Sequence, residues 1–151
     1  MKIVGIQSEP FDLAELRSQY ADNFGIGAEV LFVGRVREFS EHSGVTALTL
    51  EHYPGMTESV LETLADEACA RWALEGVVII HRIGYLQAGD DIVLIMAFSA
   101  HRAVAFEACQ YLMDRLKTNV PLWKKEHFHE GERWVEERTS DQRASAQWNK
   151  R

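Results

Sequence analysis

The chain has only two cysteines in 151 residues, and its formal net charge of −7 carries no cationic excess. Cys69 and Cys109 form no CxxC pair and share no ligand spacing with histidine, so neither a disulfide framework nor a zinc knuckle is expected. Each lies in a helical pattern and reads as a small core residue. The acidic balance argues against a general nucleic-acid binder. Functional cations must then be gathered locally, which suits a small anionic ligand better than a long polyanion. No apolar run approaches the roughly 20 residues that span a bilayer, and Met1–Ile6 has no signal-peptide pattern. A cytoplasmic protein without a membrane partner is expected. Gly-rich phosphate loops and nucleophile elbows are missing as well.

What is present is an ordinary globular balance, with 46% hydrophobic and 26% charged residues, enough for one domain. Strands are expected over Lys2–Gln7, Ala28–Arg37, Ala47–Tyr53, Val77–Ile83, Asp91–Phe98, Trp123–Phe128 and Arg133–Glu137. Helices are expected from a cap at Asp12, over Thr57–Glu75 with Gly76 as its stop, and from a cap at Ser99 to about Lys117. Glu38–Gly44 reads as a polar loop and Gly84–Asp90 as a hairpin connection. These elements give an α+β domain over residues 1–141, with antiparallel pairing favoured by short connections. Residues 142–151 read as a polar tail that frays or docks on a partner.

Four cationic places could carry chemistry. Arg35 and Arg37 end a strand and would share a side in an extended chain, fit to clamp a phosphate or carboxylate; two solvated arginines balancing Glu38 and Glu41 are the plainer alternative. His101 and Arg102 open a helix, where the dipole favours acids, and an anion bound there would remove the conflict. Lys117 ends that helix, where a cation is welcome, and Pro121 turns the chain so that Lys124 can come back toward it. Two ammonium groups held close would lower one pKa and ready an acid, base or amine nucleophile. Arg133 and Arg138 come last, and Arg133 reads as a surface residue. His127 and His129 lack a third ligand for a metal site. His52 and His81 read as partnered structural residues within strands.

The strings Phe32-Val33-Gly34-Arg35-Val36-Arg37, Leu50-Glu51-His52-Tyr53-Pro54-Gly55-Met56, His81-Arg82-Ile83-Gly84, Ser99-Ala100-His101-Arg102 with Phe106-Glu107-Ala108-Cys109, Leu116-Lys117-Thr118 with Pro121-Leu122-Trp123-Lys124-Lys125-Glu126, and Trp134-Val135-Glu136 occur in this order. Together they resemble the large, catalytic subunits of molybdopterin synthase, the MoaE family, from about Gly25 to about Asp141. The resemblance implies an α/β hammerhead fold with an added antiparallel β subdomain. It implies a central homodimer with a ubiquitin-like sulfur carrier docked at each end, a heterotetramer overall. The carrier's C-terminal Gly-Gly bears a thiocarboxylate, and two sulfur transfers convert cyclic pyranopterin monophosphate to molybdopterin. The sulfur arrives on the partner, so no cofactor is implied for this chain. Lys117 is implied as the catalytic lysine and Lys124 as the second. Arg35, Val36, Arg37, His101, Arg102, Lys125, Glu126 and Arg138 are implied to line the substrate site with them, Arg138 from the neighbouring subunit. Two other classes compete: a docking module that binds a ubiquitin-like tail without chemistry, and a phosphate-ester or nucleotide enzyme. The first predicts tail binding that survives loss of Lys117; the second needs a metal site or a phosphate loop.

Overall fold

The computed structural model describes residues 1–38, 44–135 and 139–150, with the side chains of Thr139, Ser140 and Lys150 left aside. The elements run β1 (Lys2–Gln7), α1 (Leu13–Ser18), β2 (Ala28–Arg35), β3 (Ala47–His52), α2 (Met56–Trp72), β4 (Gly76–Arg82), β5 (Gly84–Gln87), β6 (Asp91–Ser99), α3 (Arg102–Asn119), β7 (Leu122–Phe128), β8 (Gly131–Val135) and α4 (Thr139–Ala146), then a 3₁₀ turn over Gln147–Lys150. The fold is mixed α+β with two four-stranded sheets, ordered β1-β4-β6-β2 and β5-β3-β7-β8.

In the first sheet every residue of β4 is buried, because the strand is covered on both faces. Alternation sends Val77 and Ile79 to the side where Leu61, Leu64, Ala65 and Ala68 of α2 meet Ala108, Leu112 and Leu116 of α3. Val78 and Ile80 point the other way, against Tyr20, Phe11 and Leu16. The second sheet folds around Val36, Val45, Leu48, Leu50 and Leu86.

Several boundaries differ from the sequence-based expectation. The pairing is antiparallel except between β1 and β4, which are parallel. Strand β2 ends at Arg35 after a register shift at Gly34/Arg35, because Val36 turns inward and is 3% exposed. Helix α2 stops at Ala73, whose φ of 50° is left-handed. Gly76 instead opens β4, where a Cβ would stand 2.2 Å from the Tyr20 ring. The stretch after β4 is no simple hairpin connection. Gly84, at φ +85°, turns the chain out of the first sheet and β5 pairs with β3 in the second. Ser99 closes β6, and its hydroxyl accepts the His101 N–H at 3.3 Å; His101 is the N-cap residue. Residues 139–150 form α4 and a 3₁₀ turn. The expected division at 141/142 falls inside α4, and Trp148 is 3% exposed within the core of the helix layer. Its indole N–H donates to Asp114 at 2.9 Å.

Candidate functional site

Lys117 stands exposed in the last turn of α3, where the helix dipole favours a cation. The chain then passes the buried Val120 and the turn at Pro121 into β7. Thr57, fully buried at the start of α2, holds that turn: its hydroxyl donates to Pro121 O at 2.9 Å and accepts Tyr53 N–H at 2.9 Å. On β7, Lys124 lies opposite Leu50 and Glu126 opposite Leu48. Paired residues of an antiparallel ladder share a face, so Lys124 and Glu126 both lie on the side of the Leu48/Leu50 core. Glu126 is 2% exposed and accepts from Arg133 Nη2 at 3.3 Å. Arg133 is therefore tied to a buried carboxylate, not simply a surface residue.

The charges of both lysines act on His81. This imidazole is buried at the penultimate position of β4, and its Nδ1 lies 2.7 Å from Arg82 O. Burial depresses its pKa first; Lys117 and Lys124 both depress it further against the opposing effect of the Arg82 carbonyl, leaving it at about 4. In the sequence His81 reads as a structural residue. Its place within an apolar strand is legible there, but the two lysines whose charges act on it belong to elements distant in sequence.

The other expected residues are distributed more widely. Lys125 is on the opposite face of the second sheet, with its ammonium 4.6 Å from the Trp134 ring centre and 3.4 Å from Glu132; strand alternation separates it from Lys124. Arg35 spends its guanidinium on Gly89 O, at 2.8 and 3.2 Å, with Asp91 at 3.6 Å. Val36 is a core residue. Arg37 is exposed just beyond β2, and Arg138 lies outside the described residues. His101 and Arg102 are exposed at the N-terminal end of α3, whose first turn holds no acid. Fifteen residues of helix separate Arg102 from Lys117, about 22 Å along the axis at 1.5 Å per residue. Within one chain they do not share a site.

His127 is engaged by Thr49 at 2.6 Å and packs edge-on against Tyr85. Cys109 is buried and its thiol is pushed up to about 11; burial likewise raises Cys69. Neither supplies a ready thiolate. A concavity of about 460 Å³ beside Arg17, Tyr20 and Phe98, and one of about 610 Å³ beside Phe128, His129 and Arg133, both lie away from Lys117 and Lys124.

A family model described as "MoaE protein" matches residues 6–119. The chain is 51% identical to the molybdopterin synthase catalytic subunit of Pseudomonas aeruginosa over 146 residues, 96% of this chain and 97% of that one. It is 51% identical to the molybdopterin synthase catalytic subunit of Escherichia coli K12 over 147 residues, 97% of each. Among solved structures, the molybdopterin biosynthesis MoaE protein from Burkholderia ambifaria superposes with a TM-score of 0.83 at 47% identity, covering 99% of both chains. Molybdopterin synthase from Staphylococcus aureus gives 0.81 at 38% identity, covering 90% of this chain and 98% of that one.

Proposed function

The chain belongs to the MoaE family, and from that premise we propose how its residues perform sulfur transfer as the catalytic subunit of a molybdopterin synthase. The enzyme acts in molybdenum cofactor biosynthesis. Its substrate is cyclic pyranopterin monophosphate, and its sulfur comes from the thiocarboxylated Gly-Gly tail of a small ubiquitin-like subunit. The single observation that carries the assignment of roles is the turn at Pro121, held by Thr57, which joins Lys117 in the last turn of α3 to Lys124 on the inner face of β7. Lys117 acts at the carrier's terminal glycine, as acid/base or transient amine acceptor. Lys124 holds the substrate beside it and assists proton transfer. Sulfur arrives on the partner in this reading, so it calls for no resident cofactor, and the raised thiols of Cys69 and Cys109 are given no part in the transfer.

The phosphate of the substrate needs fixed cations, and Arg37, His101 and Arg102 supply them. Because Arg102 is about 22 Å from Lys117 on the same helix, a second copy of the chain provides His101 and Arg102 to the Lys117 site. A two-fold dimer makes this exchange reciprocal. Arg138 completes the same site from the neighbouring copy. Arg35, Val36, Lys125 and Glu126 shape the site indirectly, through the turn at Gly89, the inner core and the Arg133 ion pair. Among the described residues no helix is long and apolar enough to cross a membrane, which supports a cytoplasmic place for the enzyme.

The test is reconstitution of the purified chain with cyclic pyranopterin monophosphate and a thiocarboxylated carrier, with molybdopterin read as its fluorescent oxidation product. Product must depend on the thiocarboxylate and disappear in Lys117→Ala while the fold persists. A stable carrier complex that makes no product would instead favour a docking module.

A further inference from the structure

Thr57 is a polar side chain with no exposure at all, at a place where valine would fill nearly the same volume. A hydroxyl sealed from water costs free energy unless it is hydrogen-bonded, and this one is bonded twice. Thr57 is the second residue of α2. Its backbone N–H donates to Tyr53 O at 2.9 Å. Its hydroxyl accepts Tyr53 N–H at 2.9 Å and gives its one proton to Pro121 O at 2.9 Å. The strand register shows what this does. β3 and β7 pair as far as His52 opposite Leu122, so one further step sets Tyr53 against Pro121. Proline has no N–H to offer that rung. The Thr57 hydroxyl stands between the remaining donor, Tyr53 N–H, and the remaining acceptor, Pro121 O, and carries the ladder one step further through a side chain.

The bond to Pro121 O fixes a direction. Helix α3 ends at Asn119, and Val120, extended at φ −88° and ψ 124°, is buried in the core of the helix layer. That burial sets where the chain passes, and the proline ring sets φ at the next residue. The remaining torsion, ψ of Pro121, orients the peptide plane from which β7 departs, and a hydrogen bond to the carbonyl oxygen holds that plane. Lys117 lies before this pivot and Lys124 beyond it. The face that Lys124 takes follows from how the strand begins, since side chains alternate from there. We propose that Thr57 is a positioning residue for sulfur transfer: its hydroxyl, between Tyr53 N–H and Pro121 O, fixes the pivot between the helix that carries Lys117 and the strand that carries Lys124. The functional consequence rests on the sulfur-transfer reading. Threonine suits this place because its β-branch restricts χ1, which keeps the hydroxyl aimed at both partners.

The test compares three variants of the full chain. Thr57→Val keeps the shape and removes both hydroxyl bonds. Thr57→Ser keeps the hydroxyl and loses the methyl. Gly76→Ala destabilises the fold elsewhere, at the Tyr20 ring. In Thr57→Val, kcat is expected to fall about tenfold or more, with KM for the pterin substrate changed less than about threefold. Thr57→Ser recovers kcat to within about threefold of wild type, and Gly76→Ala, assayed well below its unfolding midpoint, does the same. Hydrogen exchange at Tyr53 N–H, read by NMR without substrate, is slow in wild type and in Thr57→Ser. It accelerates about tenfold or more in Thr57→Val, while the amides of Leu48 and Leu50 in the same strand keep their protection. A valine variant with wild-type kcat, a serine variant as impaired as valine, or a Gly76→Ala chain that loses kcat as valine does overturns the assignment. So does a fast-exchanging Tyr53 amide in the wild type, a measurement that stands even where Thr57→Val fails to fold. An inactive wild type with the expected exchange pattern would sink the sulfur-transfer reading alone, and an active wild type with an unprotected Tyr53 amide would sink the Thr57 assignment alone.

Discussion

Single side chains account for the chemistry and for one pH dependence. His81 in the folded chain titrates near 4, whereas an exposed histidine titrates near 6.5. Above pH 6.5 both states hold a neutral ring. As pH falls through the window from 6.5 to 4, the unfolded chain takes up a proton that the folded chain refuses, so stability declines. The limit is about 3 kcal/mol at pH 4. Urea unfolding at pH 7 and pH 4 measures this, and His81→Gln should show a shallower decline by about that amount. Equal declines in the two proteins would contradict a buried neutral imidazole. Arg102→Ala belongs to the same scale. It is expected to weaken substrate binding by about tenfold or more, as loss of a charge-assisted phosphate contact does, and to leave carrier binding nearly unchanged. Titrations that show the reverse order would remove Arg102 from the phosphate site. Lys117 and Lys124 could be singled out in the sequence because a proline lies between them and one ends a helix. Lys125 could not be separated from Lys124 by type, only by the pleat that turns it toward Trp134.

Elements decide how those side chains are presented. The amphipathic spacing of Leu61, Leu64, Ala65 and Ala68, and of Ala105, Ala108, Leu112 and Leu116, marks α2 and α3 from sequence, since each set makes one buried stripe. Their ends are less legible. Ala73 takes a left-handed backbone that glycine adopts without strain, so Ala73→Gly is expected to raise stability by up to about 1 kcal/mol. Gly76→Ala has the opposite sign. Its Cβ would enter the Tyr20 ring, which is stacked on Phe98 at 4.0 Å and bonded through its hydroxyl to Met1 O at 3.1 Å. A loss of about 1–3 kcal/mol is expected from such overpacking. Thermal or urea unfolding of both variants checks the pair, and similar behaviour at the two positions would refute the exchange of roles. Neither position differs from the other in local sequence signal. Their difference comes from Tyr20, which is far away along the chain.

The whole molecule joins the C-terminal end to the site. Trp148 packs edge-on against Trp72 and Tyr111, at 5.9 and 5.5 Å, with Arg71 over all three rings. Thr118, beside Lys117, donates to Ser145 Oγ of α4 at 2.9 Å. Trp148→Ala is expected to cost about 3–5 kcal/mol, measured by denaturant unfolding; a near-neutral change would mean that the tail is not part of the core. At the level of assembly, the 22 Å between Arg102 and Lys117 predicts complementation. Inactive Lys117→Ala chains and Arg102→Ala chains, the latter assayed at substrate too dilute to support their own turnover, should regain activity when mixed under conditions that exchange subunits. One intact site forms per mixed dimer, so an equal mixture should reach about a quarter of wild-type turnover. No recovery, with exchange verified by mass spectrometry, would place all the catalytic groups on one chain.

The sequence by itself determined the family, the α+β class, the helix faces and the lysine pair, because these rest on local spacing and on strings of residues read in order. Only the tertiary structure decided which of the neighbouring cations face one another. It separated Lys125 from Lys124, bound Arg35 to a turn, paired Arg133 with Glu126, buried His81 at the end of β4 and set His101 and Arg102 at the far end of α3. Each of these depends on strand register, helix length or a contact between elements remote in sequence. A one-residue change of register reverses a side chain's face, and no single stretch of sequence specifies what lies across from it.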